Sequence, residues 1–124
     1  MAKVFLLFSH RLLENQVEEL KTKFSCGKVI YLPEDLQKLW SNLDNIDDNY
    51  LKFCKFLEDN AEKNDYILIQ GEWGLTYKMI RFCKKKLYIP IYSFSKRVAY
   101  EKIEDNKIIK TSYFEHIEFR EYKE

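Results

Sequence analysis

Three short polar strings carry the residue types that handle phosphates and protons: Ser9-His10-Arg11, Gln70-Gly71-Glu72-Trp73-Gly74 and Ser93-Phe94-Ser95-Lys96-Arg97. Each follows directly on a run of large apolar residues. His10 can donate to a phosphate or exchange a proton near neutral pH. Equally, Ser9 or His10 can cap the helix that follows. Gly71-x-x-Gly74 lets backbone come close to an anion, and N–H groups left free at a helix start favour phosphate. The plainer reading is a tight turn with no ligand. The step is neither a Walker loop nor G-x-G-x-x-G.

Arginine is scarce here, with Arg11, Arg81, Arg97 and Arg120 set among 17 lysines. Its planar fork suits phosphate, so Arg97 after the last polar string is a candidate anion ligand, or else an exposed hairpin residue. Glu101, four residues on, shares its strand face and can pair with it. Trp73, Tyr77 and Phe94 can stack on bases or serve as core or dimer contacts. His116 and Arg120 are expected on one face of the last strand, reaching a partner subunit's site or forming a structural salt bridge.

The elements that would position these residues are legible from periodicity. Lys3 to Phe8 is a continuous apolar run, the mark of a strand buried on both faces, as in parallel sheets. Leu13, Val17, Leu20 and Phe24 give a helical period over Leu12 to Phe24, with Gly27 placed as its terminator. Lys28 to Leu32 reads as a second strand. Pro33 opens a helix with Leu36, Leu39, Trp40 and Leu43 on its apolar face. Residues 41–49 read as a loop or break, and Tyr50 to Lys63 as another helix. Tyr66 to Ile69 is a third strand, Leu75 to Lys86 a helix whose terminal lysines suit the helix dipole, and Ile89 to Phe94 a fourth strand. Val98 to Glu104 and Lys107 to Ser112 flank Asp105-Asn106, a hairpin signal. His116 to Tyr122 reads as an edge strand or interface segment.

This order predicts an α/β, Rossmann-like parallel sheet flanked by helices, with a C-terminal antiparallel hairpin, as a single domain over residues 1–124. Ligands of such sheets bind outside the carboxyl ends of the strands, where the polar strings fall.

Composition narrows the classes. A length of 124 residues fits one domain, and 46% hydrophobic with 33% charged residues is a globular balance. A net charge of +1 leaves no broad basic field for duplex nucleic acid. No apolar run is long enough to span a membrane, and no basic leader with a cleavage site is visible, so a cytoplasmic protein is expected. Cys26, Cys54 and Cys83 are widely spaced and read as reduced, buried thiols. With two histidines and no ligand spacing, neither a metal nor a cofactor is expected.

Taken together, five strings resemble a known family: Leu7-Phe8-Ser9-His10-x-Leu12 with Gln16; Leu32-Pro33-x-x-Leu36-Gln37-x-x-Trp40-Ser41; Leu68-Ile69-Gln70-Gly71-x-x-Gly74-x-x-Tyr77; Ile89-Pro90-Ile91-Tyr92 with Arg97 and Glu101; and Phe114-x-His116-Ile117-x-Phe119-Arg120-x-Tyr122. They resemble the smallest class of type III CRISPR-associated Csx proteins, related to the CARF sensor fold. Leu13 departs from the pattern where Thr is expected, as do Glu72-Trp73 where a smaller pair is expected. The resemblance implies a homodimeric ring nuclease that linearises cyclic tetra-adenylate without a metal. On that reading His10, Arg97 and Gln70 are catalytic. Ser9, Arg11, Gly71, Glu72, Trp73, Gly74, Tyr77, Ser93, Ser95 and Glu101 bind ligand, and His116 and Arg120 act across the dimer. The alternative is a non-catalytic module that sequesters or senses the ring.

Overall fold

A computed structural model describes residues 1–124. The chain runs β1 (Ala2–Leu7), α1 (Glu14–Thr22), β2 (Cys26–Tyr31), α2 (Glu34–Ser41), α3 (Ile46–Asn60), β3 (Tyr66–Ile69), α4 (Trp73–Lys86), β4 (Ile89–Glu104) and β5 (Lys107–Glu121). These form a mixed α/β domain around one five-stranded sheet of order β2-β1-β3-β4-β5. The first four strands are mutually parallel, and β5 returns antiparallel to β4.

Strands β1 and β3 are buried on both faces, which is why they read as unbroken apolar runs. Phe5, Leu7, Ile67 and Ile69 pack with Trp40, Phe53, Leu57, Leu75 and Met79 of α2, α3 and α4. Val4, Leu6, Leu68 and Ile91 pack on the other face with Leu20 of α1 and Phe119 of β5. Each fully buried Phe or Leu contributes about 1.5–3 kcal/mol.

Several expectations change in detail. Gly27 lies inside β2, not at a helix end, and the left-handed residue after α1 is Ser25, with φ 54°. Residues 41–49 are not all loop, because Asn45 accepts from the Asp48 N–H and starts α3 at Ile46. Ser9 and His10 do not cap α1. Its N-cap is Leu13, whose N–H donates to Gln16 Oε1 at 2.8 Å; this is the Gln half of a capping box, and the half in which a Thr hydroxyl would accept the Gln16 N–H is missing.

The largest difference is at the carboxyl end. The pieces expected at 89–94 and 98–104 are one 16-residue strand, and those at 107–112 and 116–122 fuse into a 15-residue strand. Asp105 and Asn106, both at positive φ, form the two-residue turn between them. A bulge interrupts the ladder: Phe94 pairs with Glu118 but Ser95 with His116, leaving Ile117 extra. That one residue turns His116 onto the face of Ser93, Ser95 and Phe119. Arg120 stays on the opposite face with Phe94, its guanidinium 3.7 Å from the ring centre. His116 and Arg120 therefore do not share a face, because a bulge shifts the two-residue alternation.

Candidate functional site

The chain leaves β1 towards β2 on one side and reaches β3 on the other. The carboxyl ends of β1 and β3 consequently flank a switch point, where connections diverge and leave a crevice. A hollow of about 760 Å³ lies there, lined by Phe8, Ser9, His10, Arg11, Leu13, Gln16, Gln70, Gly71, Ser93, Ser95, Phe114 and His116. All three polar strings contribute to it. The chain has 20 carboxylate residues, and none lines this hollow. Arg11 and His10 sit at its rim, exposed and without an ion pair. Arg11 lies 5.9 Å over the Tyr31 ring, and His10 meets Phe8 edge to face at 5.3 Å.

Helix α2 holds the floor. Its Gln37, Trp40 and Ser41, spaced at i, i+3 and i+4, point to one side. The Gln37 amide donates to the Phe8 carbonyl at 2.7 Å, the Trp40 indole to the Gln70 carbonyl at 3.1 Å, and Ser41 to the Ser9 hydroxyl at 3.2 Å. One helix thus ties the ends of β1 and β3 together. Gln70 Oε1 accepts the Ser93 N–H at 2.9 Å and joins β4 to them. Beneath, the Tyr122 hydroxyl donates to the Ile69 carbonyl at 2.6 Å, and burial with Tyr92 close by pushes its ionisation up to about 12.

The far wall comes from β4, β5 and α1. His116 Nδ1 lies 2.5 Å from Ser93 Oγ, and Ser95 Oγ is 3.0 Å from the same oxygen. His116 Nε2 lies 2.7 Å from Glu19 Oε1, while Glu19 Oε2 accepts the Phe119 N–H at 2.6 Å. Both side chains are nearly buried, at 4% and 9% exposure.

Of the expected site residues, Ser9, His10, Arg11, Gln70, Gly71, Ser93, Ser95 and His116 come together. The others lie outside the hollow for identifiable reasons. Glu72 is the N-cap of α4, and its carboxylate accepts the Gly74 N–H, filling the place a phosphate would take. Trp73 points to solvent at 90% exposure, and Tyr77 lies along α4 hydrogen-bonded to Arg81 at 3.1 Å. Gly71 lines the hollow, but its missing Cβ serves packing: a methyl there would sit 2.8 Å from the Trp40 indole. Arg97 and Glu101 stand further out on the β4–β5 ribbon around a second hollow of about 400 Å³. Arg97 bonds Ser112 at 3.3 Å, and Glu101 pairs with Lys110 at 3.9 Å rather than with Arg97. Arg120 pairs with Glu118 at 3.4 Å.

Sequence reasoning missed Glu19 and Phe114, and it did not assign the α2 side chains a task. Glu19 was hidden because its partners are about a hundred positions away. Gln37, Trp40 and Ser41 were visible as a motif, and their helical spacing was the available clue.

No solved structure matches the chain. It is 50% identical over 127 residues, covering 98% of each chain, to Uncharacterized protein MJ1673 of Methanocaldococcus jannaschii. The profile of the Uncharacterized protein MJ1673 family matches residues 2–120. Near-complete coverage at that identity means that the chain belongs to the Uncharacterized protein MJ1673 family.

Proposed function

We propose that the hollow at the switch point binds cyclic tetra-adenylate and cuts it, so that the protein acts as a ring nuclease that switches off type III CRISPR signalling. The observation that carries this reading is a polar, open hollow free of carboxylates, with an unpaired arginine and histidine at its rim. Such a site takes an anion and repels none of its phosphates. The sheet order, with ligand space at the ends of β1 and β3, also suits a Rossmann-like, CARF-related domain.

The size of the hollow favours a pair of copies. Pockets for one drug-sized ligand run to about 300–1,000 Å³, and a ring of four nucleotides overfills one of about 760 Å³. The ring is two-fold symmetric, so two hollows about a shared axis accommodate it. The site holds the ring so that a 2′-hydroxyl stands in line with the adjacent phosphorus, and such positioning can supply about 7–11 kcal/mol. The 2′-hydroxyl loses its proton as its oxygen forms the bond to phosphorus, the P–O5′ bond breaks, the 5′-oxygen takes up a proton, and the product carries a 2′,3′-cyclic phosphate. Arg11 neutralises phosphate charge, and His10 donates to the leaving oxygen. The reaction needs no metal, and the protein works in the cytoplasm.

The test is incubation of the purified protein with cyclic tetra-adenylate in excess chelator. The expected products are linear adenylates ending in 2′,3′-cyclic phosphate, with turnover lowered about 10²-fold or more in His10→Ala and binding weakened in Arg11→Ala. Binding with the ring recovered intact would make the protein a sequestering module, and no binding at all would end this reading.

A further inference from the structure

A chain of three groups runs inward from the wall of the hollow, in an order that recurs in proton-transfer chemistry: Ser93 and His116 line the hollow and Glu19 lies buried behind them. A carboxylate accepts hydrogen bonds and donates none, so the contact of Glu19 Oε1 with His116 Nε2 at 2.7 Å places a proton on Nε2. In the neutral ring Nδ1 is then an acceptor, and the only hydrogen-bond partner it has is Ser93 Oγ, at 2.5 Å. The Ser93 proton is therefore drawn towards His116, and its oxygen lone pairs are left to the hollow and to Ser95, 3.0 Å away. Glu19 is itself fixed by the Phe119 N–H at 2.6 Å. With Ile117 present in the strand, a bulge there is what keeps His116 opposite Ser95. Bulges are enriched beside active sites, where they re-aim a side chain.

We propose that Glu19, His116 and Ser93 form a proton relay whose outer end, the Ser93 hydroxyl, is activated towards phosphorus chemistry in the hollow. In its natural use, which rests on the ring-cleaving reading, Ser93 is the group that deprotonates the attacking 2′-hydroxyl. The 2′-OH proton passes to Ser93 Oγ as the Ser93 proton passes to His116 Nδ1. The O2′–P bond forms and the P–O5′ bond breaks. The leaving 5′-oxygen takes a proton from His10, which recovers one from solvent as His116 releases one, so protons balance. Ser93 is the catalytic residue. His116 and Glu19 act through it and are positioning residues, following the logic by which an oriented imidazole activates a serine.

An activated serine can be probed without the ring. A fluorophosphonate should modify Ser93: Oγ–P forms, P–F breaks, fluoride departs and the proton moves to His116. The expected result is labelling of Ser93 alone among the serines, slowed at least tenfold in His116→Gln and in Glu19→Gln and unchanged in Arg81→Lys. The rate is read on folded protein at a single pH, where His116 contacts Ser93 and Glu19 together. A merely structural His116 would leave the labelling of folded His116→Gln at the parent rate. Absence of Ser93 labelling in the folded parent, or labelling indifferent to His116, overturns the relay.

The ring assay separates the two readings. Ser93 labelling without ring cleavage by the parent upholds the activated serine and overturns ring cleavage. Ring cleavage by the parent that persists at the same rate in Ser93→Ala overturns the relay and leaves ring cleavage standing. Loss of at least 10²-fold in Ser93→Ala, with ring binding retained, supports both.

Discussion

At the scale of single residues, the two glycines after β3 separate cleanly. The sequence offers the pair as a close approach to an anion or as a tight turn with no ligand. Neither adopts positive φ, so their roles turn on what a Cβ would meet. Gly71→Ala drives a methyl into the Trp40 ring at 2.8–2.9 Å, where the indole is held by its bond to the Gln70 carbonyl. The expected cost is about 1–3 kcal/mol in chemical denaturation, the range for overpacking. Gly74→Ala meets two side-chain ends within the first turn of α4, the capping carboxylate of Glu72 at 3.2 Å and Ile46 Cδ1 at 3.4 Å, each of which need give only a few tenths of an ångström. It should be neutral or stabilising by up to about 1 kcal/mol, since alanine suits a helix better. Equal large losses at both positions would mean that Gly74 does more than start a helix. The identity of the partner side chain, Trp40, is a long-range fact that local spacing could not reveal.

Among the elements, the strands and helices of the amino-terminal two-thirds were readable because burial on both faces and amphipathic periods leave strong marks. The β4–β5 ribbon was read in fragments. Its outer half exposes Ile103, Ile108 and Phe114, so burial does not impose a clean alternation there, and the bulge breaks the period where it matters most. Helix ends were less legible where an unusual residue takes the terminal position. Leu87 closes α4 at φ 64°, a left-handed conformation in which a side chain costs about 1–2 kcal/mol and glycine is at ease. Leu87 is half exposed and gives up little packing, so Leu87→Gly should raise the midpoint of thermal unfolding. A lowered midpoint would show that its side chain packs more than its exposure suggests.

For the molecule as a whole, the three cysteines set a boundary in pH. All are free and buried. Burial, aided by Asp65, pushes Cys26 up to about 11. Burial, aided by Glu58, pushes Cys54 to about 11 as well. Cys83 is raised further, by deep burial and by Cys54 nearby. A thiol whose folded value is raised favours the folded state below its ordinary value of 9.0 and loses that contribution as pH climbs from there through about 11. Stability should hold from neutrality to about pH 9 and then fall, as read by urea midpoints across a pH series. At pH 8 the native thiols should resist iodoacetamide, with three modified only after unfolding. Rapid alkylation of the native protein would show that the core opens locally. If the ring reading holds, sedimentation with cyclic tetra-adenylate should give twice the chain mass, and a monomer at saturating ligand would exclude the shared site.

The unpaired Ile117 also makes the return strand tolerant of one particular excision. Removing it would let His116 stay opposite Ser95 while the ladder becomes regular, so the contact with Ser93 should survive. Excising a residue between Ser112 and Glu115 instead would rotate the neighbouring side chains through the sheet plane, or oblige the kink to migrate. Among natural variants of this chain, length differences in the returning strand should therefore cluster at that kink, and wherever they fall elsewhere a second change of one residue should restore the frame.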